Sequence, residues 1–73
     1  MKFNSTLTLV SEEYWRAVDR HKDFQGVDNG MKILNKQVED LKLRVFEEDY
    51  IGMQREAIQV CAMAIRFLTD CIK

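Results

Sequence analysis

The sequence predicts an all-α fold: a small three-helix antiparallel bundle that is completed by oligomerisation. Apolar residues in both the middle and the last third of the chain recur at steps of four, three and four, which is one face of a helix. The chain has 73 residues, 47% of them hydrophobic, and no proline. A domain of this size buries only about 60% of its unfolded surface, so some of this apolar material is expected to be covered by another chain.

The N-terminal segment, residues 1–10, is predicted to be an arm outside a single helical domain of residues 11–73. The alternation Thr6-Leu7-Thr8-Leu9 is typical of a strand, but a single short strand has nothing to pair with. We therefore expect an extended arm, with a helix beginning near Thr8 as the alternative.

The first helix is expected to run from about Glu12 to Lys22. Ser11 is a favourable cap, and two glutamates in the first turn suit the positive end of the helix dipole. A loop should follow between Phe24 and Gly30, because two glycines and an Asp-Asn pair interrupt the helical pattern. The buried side of the first helix is expected to consist of Tyr14, Trp15, Ala17 and Val18.

The second helix is expected over about residues 31–47, with Asp28 or Asn29 as its cap. Asp49 is expected to cap the third helix, which covers about residues 50–72. Gly52 in its first turn should cost roughly 1 kcal/mol at most. The apolar line of the second helix consists of Met31, Leu34, Val38, Leu41 and Val45.

The third helix is the central element of this prediction, because its apolar surface is wider than the roughly 100° stripe of an ordinary surface helix. We name its main apolar residues the seam. They are Ala57, Ile58, Cys61, Ala64, Ile65 and Leu68. A short chain has few helices with which to cover the seam, so we expect it to pack both within the protomer and against another copy, in a dimer or tetramer.

Composition limits the classes of partner. The net charge is −1 and basic residues are interleaved with acidic ones, so nucleic acid is not an expected partner. The apolar runs are shorter than the roughly 20 residues that span a bilayer, and the first ten residues do not resemble a signal peptide. Cys61 and Cys71 are too far apart on one helix for a disulfide within the chain. We expect a cytoplasmic protein with reduced cysteines, Cys61 in the core, and a protein partner as a further option.

Acidic residues are the candidates for a metal site, because hard cations such as Mg²⁺ take clustered oxygen ligands. Glu39, Asp40 and Glu56 lie on the second and third predicted helices but do not share a helical phase. We therefore expect a solvated acidic rim and no cofactor. His21 is expected to be a solvated residue at the end of the first helix, with a ligand or proton donor as the alternative.

The run Glu56–Leu68 resembles the last helix of small phage- and prophage-type proteins of the MazG-like superfamily, the all-α nucleotide pyrophosphohydrolases. Arg16–Gly26 is similar in style to the charged, histidine-containing segment that precedes the core helices of that family. Ile33–Val45 falls where the family has its first acidic motif. The resemblance covers roughly residues 12–72, and its most distinctive part is the third-helix run.

Active members of that family hold Mg²⁺ with a Glu-Glu-x-x-Glu motif on one helix and Glu-x-x-Asp on the next. The first would fall on Lys36-Gln37-Val38-Glu39-Asp40, where Asp40 keeps a carboxylate, and the second on Glu56-Ala57-Ile58-Gln59, where Glu56 remains. Lys36 would add a positive charge that repels the metal needed to activate water. The resemblance therefore implies the family's scaffold without its usual catalysis.

Three functions are compatible with these observations. We expect a non-catalytic, oligomeric module that acts in interactions or in an accessory role. A phage or prophage origin is an option within this expectation. The first alternative is a Mg²⁺-dependent nucleotide pyrophosphohydrolase with a divergent acidic site that draws on Glu39, Asp40, Glu47, Glu48 and Glu56. The second is a nucleotide-binding module without turnover, in which Lys36 contacts phosphate and Trp15 or Tyr14 stacks on the base, although a tryptophan is more often a core anchor.

Overall fold

The computed structural model describes residues 1–72, which form three α-helices. These are α1 (Phe3–Arg20), α2 (Val27–Phe46) and α3 (Tyr50–Cys71). The predicted all-α three-helix bundle is confirmed for this part of the chain, whereas its completion by oligomerisation stays a prediction. Within residues 1–72, none of the helices combines the length and the apolar character needed to span a membrane.

The helix α3 lies in the middle of the bundle. Both α1 and α2 pack on it, and across the described residues these two helices do not pack on each other. The helices α2 and α3 form an antiparallel hairpin, in which Gln37 Nε2 donates to Glu56 Oε1 at 3.0 Å. The helix α1 packs along α3: the Tyr14 hydroxyl donates to Thr69 Oγ1 at 3.4 Å, and Leu9 lines the same pocket as Ile51.

The N-terminal residues do not form the predicted extended arm, because α1 begins at Phe3 and continues through Ser11. The hydroxyls of Thr6 and Thr8 donate to the carbonyl oxygens of Lys2 and Asn4, one turn earlier, as threonine does inside a helix. Helix packing also buries Val10. The strand-like alternation was misleading because no second strand is available to satisfy the backbone of a first one.

The helix α2 begins at Val27, earlier than predicted, and Gly26 is its N-cap with a φ of 101° that favours glycine. Asn29 instead reaches back, and its Oδ1 accepts a hydrogen bond from the backbone N–H of Gln25 at 2.8 Å. Gly30, expected in a loop, is a buried helical residue. A Cβ at Gly30 would lie 2.8 Å from Cδ2 of Phe67, so glycine allows α2 to approach α3 closely.

The turn between α2 and α3 is fixed by backbone bonds and by a cap. The N–H groups of Glu48 and Asp49 donate to the carbonyl oxygens of Val45 and Arg44 at 3.1 and 3.0 Å, which is the Schellman pattern, and Glu48 has a φ of 56°. Asp49 caps α3 as predicted, since its Oδ1 accepts from Gly52 N at 2.9 Å. A Cβ at Gly52 would collide with the Asp49 carboxylate, so glycine here permits the cap and is not merely a cost.

The core is small and differs in part from the prediction. Its apolar residues are Val10, Ala17, Phe24, Ala62 and Met63. Trp15, expected inside, is 60% exposed and packs edge-on against Tyr14, whereas Phe24, expected in a loop, is buried. The connection after α1 folds back over α3 and carries the Phe24 ring with it. On α2, Leu34, Val38 and Leu41 are half-buried, while Met31 and Val45 are exposed.

Candidate functional site

Two different faces of α3 are the candidate sites, and the first is the seam. Ala57, Ile58 and Ala64 are half-buried, whereas Cys61, Ile65 and Leu68 are exposed, with 61% of Leu68 accessible. Cys61 is therefore not the core residue that was expected within the chain. The core instead uses Ala62 and Met63, which lie about 100° and 200° further round the helix.

The second face is the floor of a groove between α1 and α2. Because these helices pack on α3 but not on each other, they leave a groove of about 380 Å³. Its floor is formed by Gln59, Met63 and Arg66 of α3. Its walls include Arg20 at the end of α1 and Lys36 in the middle of α2.

The groove is rich in positive charge. Five of the chain's eleven Lys and Arg residues line it, against two of its twelve Asp and Glu residues. The cations are Arg16, Arg20, Lys22, Lys36 and Arg66, and the acids are Glu13 and Asp40. Arg16 pairs with Glu13, and Arg66 Nε lies 3.9 Å from Asp70 Oδ2. The other three cations have no acidic partner within 4.0 Å among residues 1–72.

Arg66 is the buried charged residue of the groove floor, with 3% of its surface exposed. Its Nη2 donates to the carbonyl oxygen of Lys22 at 2.6 Å, and its guanidinium lies 4.3 Å from the centre of the Phe24 ring. Asp70 Oδ2 accepts from the backbone N–H of Phe24 at 3.1 Å. Arg66 and Asp70 thus hold the connection after α1 against α3, which places Lys22 at the groove.

Sequence reasoning missed Arg66, because a charged residue on a helix is ordinarily assigned to the solvent side. A signal was present: Asp70 follows it by four residues, the spacing at which opposite charges meet on a helix surface. Met63 precedes it by three residues and lies under the guanidinium, with 3.9 Å between Nη1 and Sδ.

The predicted metal ligands lie apart. Asp40 lines the groove, whereas Glu39 is exposed and lies 3.3 Å from Lys42 Nζ. Glu56 accepts from Gln37 and lies 3.5 Å from Arg44 Nε. In the part of the chain that the structure describes, no three His, Cys, Asp or Glu side chains are grouped closely enough to hold a metal ion.

Arg44 links the carboxylates near the turn between α2 and α3. Its Nη1 donates to Glu47 Oε1 at 2.8 Å. This hydrogen bond raises the pKa of Arg44 above its ordinary value; desolvation opposes the shift, and the charges of Glu47, Glu56 and Asp49 add to it. Glu56 therefore takes part in an ion-pair network at the hairpin, since Arg44 remains protonated at any physiological pH.

The two residues predicted to bind a nucleotide are not in the same place. Lys36 lines the groove, but Trp15 is not part of its lining. His21 is the exposed C-cap residue of α1 and lies at the edge of the groove, beside Lys22. The structure thus brings Lys36 near residues that the sequence analysis did not connect with it.

No family model, curated protein or solved structure matches the chain. The resemblance to the MazG-like superfamily stays a prediction.

Proposed function

We propose that the protein is a non-catalytic helical interaction module that pairs with a second copy of itself through the seam. The observation that supports the proposal is the exposure of part of the seam: Cys61, Ile65 and Leu68 are exposed, whereas Ala57, Ile58 and Ala64 are half-buried. Full burial of one large aliphatic side chain is worth about 1.5–3 kcal/mol. Pairing would bury the remaining exposed surface of Ile65 and Leu68, which are 37% and 61% exposed, in each copy.

The chemistry of the seam favours a second copy as the partner. An interface with two-fold symmetry places the same patch on both subunits, so the patch must be compatible with itself. All six seam residues are uncharged, and pairing therefore places no like charges opposite each other. Ala57, Cys61 and Ala64 are small, which allows two helices to approach closely.

The sequence resemblance supports the absence of catalysis in this proposal. On the MazG-like alignment, Lys36, Gln37 and Gln59 stand where the family has carboxylates, and only Asp40 and Glu56 keep one. A protein with that scaffold and an incomplete metal site fits an accessory role. We include a phage or prophage origin in the same proposal.

Light scattering at micromolar concentration tests the pairing. We expect a dimer or larger species for the natural chain and a monomer for Leu68→Glu, because the variant places a charge in an apolar contact. Phe46→Glu is the matched control: Phe46 is 87% exposed but lies at the end of α2, outside the seam. Ala64→Glu should dissociate or unfold the protein for the same reason as Leu68→Glu.

Mild oxidation gives a second, independent readout. Cys61 is exposed on the seam, whereas Cys71 is half-buried and its thiol donates to the Gly26 carbonyl oxygen at 3.4 Å. A Cys71→Ser variant should therefore form covalent dimers faster than Cys61→Ser. A natural chain that is monomeric up to its solubility limit would contradict the proposal. So would a dimer that Phe46→Glu dissociates and Leu68→Glu leaves intact.

A further inference from the structure

We propose that the groove between α1 and α2 binds a compact polyvalent anion, one that carries several phosphate or carboxylate groups. The inference does not depend on the pairing of the seam, since the groove lies on a different face of α3. Its basis is the local charge: five cationic and two acidic side chains line the groove, whereas the whole chain carries a net charge of −1. Such a concentration of one sign attracts an oppositely charged ligand.

Three elements of the fold bring the available cations together. Arg20 is the last residue of α1, Lys22 belongs to the connection, and Lys36 lies in the middle of α2. None of the three has an acidic partner within 4.0 Å among the described residues. Their charges are therefore available to a ligand, which an arginine binds through two parallel hydrogen bonds and a lysine as a point charge.

The burial of Arg66 supports the anion site independently of the exposed cations. Its side chain is almost completely buried in the groove floor, and its Nε makes no hydrogen bond within residues 1–72. Asp70 offsets its charge only in part, at 3.9 Å. A charge held away from water is screened less than one at the surface, so Arg66 raises the potential of the groove from below while Arg20, Lys22 and Lys36 make the contacts.

The two acidic side chains of the groove reduce its positive charge but do not neutralise it. Glu13 is already paired with Arg16. Asp40 is then the opposing charge that faces the three available cations. The volume of about 380 Å³ accommodates a small ligand, and the apolar residues Phe24, Ile33 and Met63 also line the groove.

Calorimetric titration of the full chain at low ionic strength tests the site, with tripolyphosphate and citrate as probes and sodium chloride of equal ionic strength as the reference. The variant is Arg20→Gln with Lys36→Gln, which removes two contacts. The control is Lys2→Gln with Lys32→Gln, which changes the net charge equally at exposed positions outside the groove. We expect the groove variant to bind at least about tenfold more weakly, the loss that corresponds to one charge-assisted hydrogen bond, and the control to bind like the natural chain.

The outcomes separate the sources of the ligand chemistry. Binding of both probes indicates recognition of charge, and binding of tripolyphosphate alone indicates recognition of phosphate groups. The proposal is wrong if neither probe binds beyond the chloride reference, or if the control weakens binding as much as the groove variant. Thermal melting confirms that both variants fold, and their mass by light scattering reports on the seam separately, so the failure of one proposal is distinguishable from that of the other.

Discussion

The seam and the groove face of α3 differ in a way that periodicity alone does not reveal. The seam is uncharged and holds the regular apolar spacing, yet Cys61 and Leu68 are exposed. The groove face carries Gln59 and Arg66, yet Arg66 is among the most buried residues described. The position of the neighbouring helices, and not the apolar character of a face, therefore decides which side of α3 faces the interior of the chain.

The burial of Arg66 is possible because the terminal nitrogens of its guanidinium find partners, although its Nε makes no hydrogen bond among the described residues. The aliphatic part of an arginine packs like a hydrophobic side chain while its head group stays hydrogen-bonded. Here the head group stacks on Phe24 and donates to the Lys22 carbonyl oxygen. A buried polar group without such partners would cost several kcal/mol, so the connection after α1 and the burial of Arg66 depend on each other.

The largest effect on stability is expected for Arg66→Ala, which removes the buried charged side chain of the groove face. The variant loses the bond to Lys22 and the contact with Phe24. We expect the free energy of unfolding to fall by about 3 kcal/mol, the sum of a charge-assisted hydrogen bond and a cation–π contact. Chemical denaturation followed by circular dichroism measures it.

The matched control for that variant is Arg55→Ala. Arg55 lies on α3 as well but is exposed, and a surface substitution ordinarily changes stability by about 0.5 kcal/mol or less. Equal losses for Arg66→Ala and Arg55→Ala would mean that the groove face is not held by Arg66.

An intermediate effect on stability is expected for Gly30→Ala. Gly30 lies on α2, where this helix packs against α3. The new methyl group would lie 2.8 Å from Phe67 Cδ2 and 3.0 Å from both Cys71 Sγ and Phe24 Cδ2. Overpacking of this kind costs about 1–3 kcal/mol, although alanine favours a helix by about 1 kcal/mol over glycine. The melting temperature should therefore fall; an unchanged or higher value would show that α2 does not approach α3 so closely. Asn35→Ala, at an exposed position of α2, is the control.

The smallest effect on stability is expected for Glu48→Gly. Glu48 lies in the turn between α2 and α3, outside both the seam and the groove. Glu48 has a φ of 56°, a left-handed conformation that costs an ordinary residue about 1 kcal/mol and glycine much less. The variant should be more stable by up to about 1 kcal/mol by denaturation and should keep the mass of the natural chain. A loss of stability would argue against the Schellman turn, and a change of mass would show that stability and pairing are not independent.

Much of the fold could be predicted from local pattern. The spacing of four, three and four located α2 and α3, and Asp49 was identified as a cap because its side chain acts on its own helix. The start of α1, the burial of Phe24 and the exposure of Trp15 could not be predicted in this way. Each depends on where α1 crosses α3, which is a tertiary property.

The candidate sites were predictable to a similar extent. The seam residues were identified as a group because they follow one another on a single helix. Of the groove, Lys36 and Asp40 were singled out for other reasons, while Arg20, Lys22 and Arg66 were not connected with them. Their convergence requires three elements that meet only after the chain has folded.

The helices α1 and α2 pack separately on α3, and this arrangement has a consequence for local unfolding. The hairpin of α2 and α3 is closed by a short turn with its own bonds, whereas α1 is joined to it through α3 and the connection at residues 21–26. We therefore expect the amide hydrogens of α1 to exchange with solvent before those of the hairpin. Release of α1 would remove one wall of the groove and leave Lys36 on the other wall.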